Sequence, residues 1–308
     1  MAVSLPDRLP FQTWDVFTDT RFAGNPLAIV DQADGLDPAR MQVLAREFNL
    51  SETIFVQAPD DPRHSAKVRI FFPTAEIPFA GHPTIGCAIF LATRATPEGD
   101  FETEVTLEEQ AGLVPVRVWR RGASVQAEFV APVLPHAPAQ GAVPESADLA
   151  RACGLAPEQV GFGRHAPGLW QGGPAFLYIP VADPDALAMA RPQEPAWSDA
   201  LQATGVDSAY LYTPQGGGYR ARMFSPTAGI PEDPATGSAS AILAAQLLAS
   251  GALPEGETRI ALQQGVEMGR PSRIGLTVVV KAGAVVQVRV AGSAVPVSEG
   301  RIALPDRP

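Results

Sequence analysis

The sequence predicts an α+β protein made of two similar halves, and three observations carry that expectation. From Phe224 to Ala239 the chain reads as a strand end, a Pro/Gly-rich turn and a helix start. Residues 235–250 are small, aliphatic or uncharged polar, and Gly251 closes them. A helix with no charged side has no face to offer water, so it is expected at the centre of its half. The third observation is repetition. Pro73, Thr74, Ala75, Ile77 and Pro78 match Pro226, Thr227, Ala228, Ile230 and Pro231, and after one inserted residue Thr84 matches Thr236. The halves are expected as 1–131 and 132–308, with the last strand returning to the first half and a cleft between the two helix starts.

At 308 residues the chain has room for about two domains. Its 46% hydrophobic and 18% charged residues are the balance of a soluble globular protein. No apolar run fits a bilayer, and Met1 to Pro10 lacks a positive region ahead of an apolar stretch, which argues against secretion. Cys87 and Cys153 form no disulfide framework or metal spacing, and the four histidines are scattered, so a reducing cytoplasm without a zinc site is expected. The net charge of −10 disfavours nucleic acid and anionic membrane as partners. An acidic chain that takes an acidic small molecule must make its site locally positive, which helix N-termini and a few arginines can do.

In chain order, Phe11 to Thr18 is a strand, and Arg21 to Pro26 turns into a second, Leu27 to Val30. Asn25, kept out of the helical region by Pro26, is either a hairpin residue or one that lines the cleft. Asp37 and Pro38 cap a helix from Ala39 to Phe48. Glu52 follows at the handover into the strand Ile54 to Val56. It is either a solvated turn glutamate or a partly desolvated carboxylate with a raised pKa, fit for proton transfer. Ser65 to Phe72 leads into the first copy of the repeat, where Gly81, His82 and Pro83 stand in the place of the Asp233 turn. Histidine is the side chain best suited to carry protons near neutral pH, and a buried helix start opposite a carboxylate favours that over a purely structural role. For Glu76 a turn or surface role serves equally well.

The helix Thr84 to Thr93 stops at Pro97 to Gly99. Phe101 to Glu108, Leu113 to Trp119 and Ser124 to Val130 are strands, with Pro115 marking an edge or bulge. The Pro- and Ala-rich residues 131–147 are the domain boundary. A short helix begins at Asp148, and an irregular stretch runs to Gly168. Gly172 to Ile179 is a strand, Asp183 to Arg191 and Trp197 to Ala203 are helices, and Asp207 to Thr213 forms a hairpin with Gly218 to Phe224. Gly216 to Gly218 is a loop without the Lys-Ser/Thr of a phosphate cradle. Arg222 either holds a substrate carboxylate or pairs with a neighbour. Asp233 contributes chemistry rather than core, and the backbone N–H groups of the second helix start favour an anion in the turn from Glu232 to Gly237. Arg259 to Gln263, Arg273 to Lys281, Ala284 to Val290 and Ala294 to Ile302 are strands. Gln264 to Ser272 closes one end of the cleft or merely connects two of them.

Asn49-Leu-Ser-Glu52-Thr, Gly81-His82-Pro-Thr, Arg222-Met-Phe-Ser-Pro, Glu232-Asp-Pro-Ala-Thr-Gly-Ser238 and Gln264-Gly with Met268-Gly-Arg-Pro-Ser272 span nearly the whole chain. Together they resemble the PhzF family of phenazine-biosynthesis-like isomerases. The resemblance implies the diaminopimelate epimerase-like fold, two pseudo-symmetric domains, each a curled, mostly antiparallel sheet around a central helix. It implies Glu52 as the acid/base that removes and returns a proton, with His82, Asp233 and Ser238 assisting proton movement or substrate placement. Asn25, Gly81, Arg222, Thr236 and Gly237 are the substrate-binding candidates. The implied reaction is the isomerisation of a small carboxylic acid without cofactor or metal; members of the phenazine pathway move a hydrogen between carbons of dihydro-3-hydroxyanthranilate. A homodimer is common in the family. The epimerase branch uses a cysteine at each helix start, whereas Ala80, Gly81 and Asp233 stand there in this chain, so diaminopimelate epimerase activity is not expected. Two other readings stay open: a metabolite-binding protein of the same fold without turnover, and an epimerase using Glu52 and Asp233.

Overall fold

The computed structural model describes residues 6–306. Residues 1–5 and 307–308, the outer ends of the two expected halves and part of the stretch read for a leader, lie outside it. The chain divides into two compact units, Met1–Pro132 with Ala291–Pro308, and Val133–Val290.

The first unit begins with β1 (Arg8–Val16) and β2 (Asn25–Val30), then α1 (Pro38–Phe48), β3 (Glu52–Gln57), β4 (Ala66–Phe71), β5 (Glu76–Ile77) and α2 (Gly81–Ala95). It continues with β6 (Phe101–Glu109), β7 (Gly112–Arg121) and β8 (Ser124–Val130). The sheet runs β1-β2-β3-β4-β6-β7-β8; only the β2–β3 and β4–β6 pairs are parallel. Asp37 accepts from the Arg40 N–H at 3.0 Å to cap α1, whose buried Met41, Leu44 and Ala45 pack with Phe55 and Phe71. On the other side α2 touches β1, β2, β3, β6, β7 and β8, and every residue from Gly81 to Ala92 is buried. Full burial of side chains such as Ile85, Ile89 and Leu91 stabilises by about 1.5–3 kcal/mol each. Gly86 is where the helix comes closest to the sheet: a Cβ there would meet Leu27 and Val16 side chains at 2.6 and 2.8 Å.

The second unit holds α3 (Ser146–Cys153), β9 (Gly168–Gln171), β10 (Ala175–Pro180), α4 (Pro184–Met189), α5 (Ala196–Thr204), β11 (Ala209–Gln215), β12 (Gly218–Ser225) and β13 (Ile230–Asp233). After them come α6 (Gly237–Ala249), β14 (Gly256–Gln264), β15 (Ser272–Lys281) and the first residues, to Val290, of β16 (Ala284–Ala303), whose remainder belongs to the first unit. Its strands run β9-β10-β11-β12-β14-β15. One core cluster joins Leu149, Leu187, Trp197 and Leu201 to Leu177, Leu211 and Phe224, while α6 touches β9, β10 and β15. In the β11–β12 hairpin Gly216 and Gly217 both have positive φ, the two-residue turn that matches strand twist. The return of β16 places Ala294 to Ala303 antiparallel to β1.

Several expected boundaries shift. Both repeat copies contain a short returning strand, β5 on β4 and β13 on β12, before the helix. The helices begin at Gly81 and Gly237, so Thr84 lies one turn inside α2 while Thr236 is the N-cap of α6. The residue match of Thr84 with Thr236 is therefore a turn out of step: two turns of different length feed equivalent helices. His82 is accordingly the counterpart of Ser238, each second in its helix, rather than of Asp233. Gly168 to Gln171, between the expected irregular stretch and the strand expected from Gly172, forms a strand of its own. The two expected strands Ala284 to Val290 and Ala294 to Ile302 are one, because Gly292 does not break the strand but makes room for a ring: a Cβ there would lie 2.3 Å from Phe17 Cδ1. Pro115 sits one residue beyond the last β7–β8 pair, Val116 with Phe129, where β7 pairs on one side only.

Arg222 is 1% exposed and braces the second unit. Its guanidinium donates to both oxygens of Glu232 at 2.8 and 2.9 Å, and to the carbonyls of Leu187, Ala188 and Ala190 at the end of α4. Two variants test this packing by equilibrium denaturation. Leu243→Ala, in the middle of buried α6, should cost about 2–5 kcal/mol. Arg222→Met, which strands Glu232 and three carbonyls, should cost roughly 3–5 kcal/mol; wild-type stability in either variant would contradict these placements.

Candidate active site

In the first unit, parallel pairing sets Leu27 beside Glu52, so the start of β3 stands next to the start of β2, where Asn25 and Pro26 lie. Glu52 is 8% exposed and His82 3%. The first turn of α2 aims the imidazole at the carboxylate, with His82 Nδ1 3.2 Å from Glu52 Oε2. Separation alone would suggest an ion pair. Burial is the larger influence, however: it pulls the His82 pKa down to about 3, against a hydrogen bond to the Pro26 backbone that raises it. The ring is therefore neutral at physiological pH, and its buried Nε2 has no hydrogen-bond partner among the described residues. A neutral histidine held this way can orient a carboxylate or meet a polar substrate group without bringing a charge. Asn25 is fully buried beside them, and Gly81 is the first residue of the helix. Glu76, in contrast, is taken by Arg69, whose Nε donates to it at 2.7 Å.

The second unit assembles a matching cluster. The Thr236 hydroxyl donates to Asp233 Oδ2 at 2.6 Å instead of capping α6. Gln264, fully buried at the end of β14, spans the turn. Its Nε2 donates to the Asp233 carbonyl at 2.7 Å and to Thr236 Oγ1 at 2.9 Å, and its Oε1 accepts from the Thr236 N–H at 3.1 Å. Asp233 is thus fixed from two sides, and Gly237 and Ser238 open the helix just after it. Gly265 allows the connection after Gln264 to lie against this turn: its φ is +74°, and a Cβ would come within 2.7 Å of the Pro234 carbonyl. Residues 265–270 are therefore more than a plain strand connection.

Neither α2 nor α6 has a side-chain hydrogen bond at its N-cap or an acidic residue in its first turn. Both starts thus direct the partial positive charge of their first-turn backbone N–H groups towards an anion at the helix end. Arg222 is the expected binding residue that belongs elsewhere. With its guanidinium committed to Glu232 and α4, it pairs with its neighbours instead of holding a substrate. Gln264 was visible in the sequence only as part of a loop motif; no residue-type signal marked a glutamine as the brace of a distant aspartate. Glu109 was missed altogether, although it continues the buried alternation of Val105 and Leu107 and so stands out as a carboxylate in an apolar phase. A groove of 880 Å³ beside the far end of α2, lined among others by Trp14, Phe90, Arg94 and Arg120, contains none of these residues. Among the described residues no group of His, Cys, Asp and Glu is arranged to hold a metal, and no helix is long and apolar enough to cross a membrane.

The family model for phenazine biosynthesis-like proteins matches residues 14–300. An uncharacterized isomerase of Mesorhizobium japonicum is 41% identical, over 94% of this chain and 97% of its own. The trans-2,3-dihydro-3-hydroxyanthranilate isomerase of Pseudomonas fluorescens is 34% identical, over 94% of this chain and 98% of its own. The crystal structure of a PhzF-family phenazine biosynthesis protein from Bacillus anthracis superposes with a TM-score of 0.84 at 24% identity, covering 96% of this chain and 99% of that one, a likeness of fold. The fold, with its paired sheets and buried helices, and these relatives agree: the protein is an isomerase of the phenazine biosynthesis-like family, with the diaminopimelate epimerase-like architecture.

Proposed function

We propose that the protein moves a proton between two carbons of a small, cyclic carboxylic acid, with Glu52 as the acid/base. The observation that carries this reading is the buried Glu52–His82 pair, 3.2 Å apart at the uncapped start of α2. Glu52 takes a proton from a carbon of the substrate, and the C–H electron pair spreads into the adjoining unsaturated system. The carboxylic acid so formed returns the proton at a second carbon as the double bond moves, and no other reactant is consumed. Negative charge builds on the substrate during the first step, and helix-start N–H groups are suited to stabilise it. Little water reaches Glu52, which favours return of the same proton. The neutral His82 holds or hydrogen-bonds without competing for that proton. The activity of the Pseudomonas fluorescens relative makes trans-2,3-dihydro-3-hydroxyanthranilate the first compound to try.

Asp233, Thr236, Gly237 and Ser238 are assigned to substrate placement in the same reaction, with Asn25 and Gly81 as further binding positions. An epimerase using Glu52 and Asp233 would invert one carbon rather than transfer hydrogen between two, so product stereochemistry separates the two outcomes.

Trans-2,3-dihydro-3-hydroxyanthranilate and other small cyclic carboxylic acids, incubated with the protein in heavy water, should yield isomerised product, with deuterium only in the fraction whose Glu52 proton exchanges with solvent before its return. Glu52→Gln should fold normally and lose about 10²–10⁴-fold of that rate; an undiminished rate would remove Glu52 from the role. Gln264→Leu, which frees the Asp233–Thr236 turn, should lower kcat about 10²-fold and, by stranding the Asp233 carbonyl and the Thr236 N–H, reduce stability by roughly 1–3 kcal/mol. Unchanged kcat in that variant would take Asp233 out of the reaction.

A further inference from the structure

Glu109 closes the inward face of β6. Val105 and Leu107 supply the aliphatic residues that a face packed on α2 calls for, and the next position on that face is a carboxylate, 8% exposed. Its Oε1 lies 2.8 Å from the Thr84 hydroxyl, and its Oε2 is buried with no hydrogen-bond partner among the described residues. The same hydroxyl lies 2.8 Å from the carbonyl of Ala80, the residue at the mouth of α2. A hydroxyl has one proton and a carbonyl only accepts. Both short contacts are full hydrogen bonds at once when Glu109 is a neutral acid: it donates to Thr84, and Thr84 donates to Ala80. An ionised Glu109 would instead compete with Ala80 for one proton and leave a charged oxygen buried without a partner.

We propose that Glu109 is a positioning residue for the isomerase: as a protonated acid it locks, through Thr84 and Ala80, the first turn of α2 that carries Gly81 and His82, and its ionisation loosens that turn. Burial acts in the same direction, pushing the Glu109 carboxyl up to about 8 against the lowering effect of Thr84. The titratable group that faces it from α2 is the Cys87 thiol, which burial holds neutral. From the strands, the adjacent Glu108 is engaged with His64, and Lys67, opposite Glu108 on β4, with Asp60. On β7, Gly112 stands opposite and brings no charge.

The sign follows from linkage. The unfolded glutamate ionises near 4.5 and the folded one near 8, so between these values the folded protein binds the extra proton. The stability contributed by Glu109 is complete below pH 4.5 and is lost as pH rises through about 8.

This inference rests on the α2 start being part of the site, so its test does not depend on turnover alone. Thermal unfolding of the full chain is compared for wild type and Glu109→Gln, whose amide can donate the same bond, between about pH 4.5 and pH 9. The Tm of wild type should fall relative to Glu109→Gln by more than about 5 °C as pH rises to about 8, then level off; parallel curves would overturn the protonated lock. Infrared spectra of wild type alone should show one protonated carboxyl band disappearing over the same upper range, and its absence would equally overturn it. With trans-2,3-dihydro-3-hydroxyanthranilate as substrate, kcat of wild type should decline above about pH 8 with KM little changed. Glu109→Gln should keep its neutral-pH rate and lose that decline, and a decline that persists in it would overturn the positioning role. The expected Tm divergence with no turnover of any acid would uphold the lock while counting against the proton-transfer reading.

Discussion

The structure depends on a demand made by two helices that are buried almost completely. A helix start leaves backbone N–H groups that must be met, and in α2 and α6 the sequence withholds the usual side-chain cap. Ala80 has no group to offer, and Thr236 spends its hydroxyl on Asp233. Two deeply buried positive helix ends are costly unless polar groups or a ligand gather there. Glu52 and His82 gather at one, and Asp233, Ser238 and the bracing Gln264 at the other. The same constraint that would penalise an ordinary protein core thus makes a place where a carbanion-like charge can be tolerated.

Protonation states follow from the same burial. His82 is neutral because a charged ring would be poorly solvated, even with a carboxylate 3.2 Å away. Glu109 is neutral for the converse reason, and serves the backbone of α2 rather than the substrate. In a chain with a net charge of −10, a bound organic acid would need local positive potential, and the backbone dipoles of the two helix starts are its source beside the carboxylates of Glu52 and Asp233.

Much of the fold was legible because the signals were of the kind that survive packing. An uncharged stretch such as 235–250 can only be a buried helix, and its echo after Phe72 pointed to two such units. The finer match failed at Thr84 and Thr236, since identity of residue type says nothing about how many residues a turn consumes before the helix begins. Residues 284–302 were read as two strands with a gap at 291–293, whereas Gly292 continues the strand and yields space to Phe17, a contact between residues 275 positions apart that no local pattern records. Of the candidate site, Glu52 and His82 were named from residue type and motif, and the coordinates bring them together. Arg222 shows the opposite case: a buried arginine near a site looks the same in sequence whether it faces a substrate or, as here, the carbonyls that end α4. Gln264 was undecidable for a related reason, because its partners lie some thirty residues away and only the pairing of β14 with β12 brings them near.

The account is tested most directly by a crystal structure of the protein with a small cyclic carboxylic acid, trans-2,3-dihydro-3-hydroxyanthranilate or an unreactive analogue. It predicts the reacting carbon about 3–3.5 Å from a Glu52 carboxylate oxygen, with His82 alongside. An acid bound elsewhere, with the Glu52–His82 pair left untouched, would contradict it.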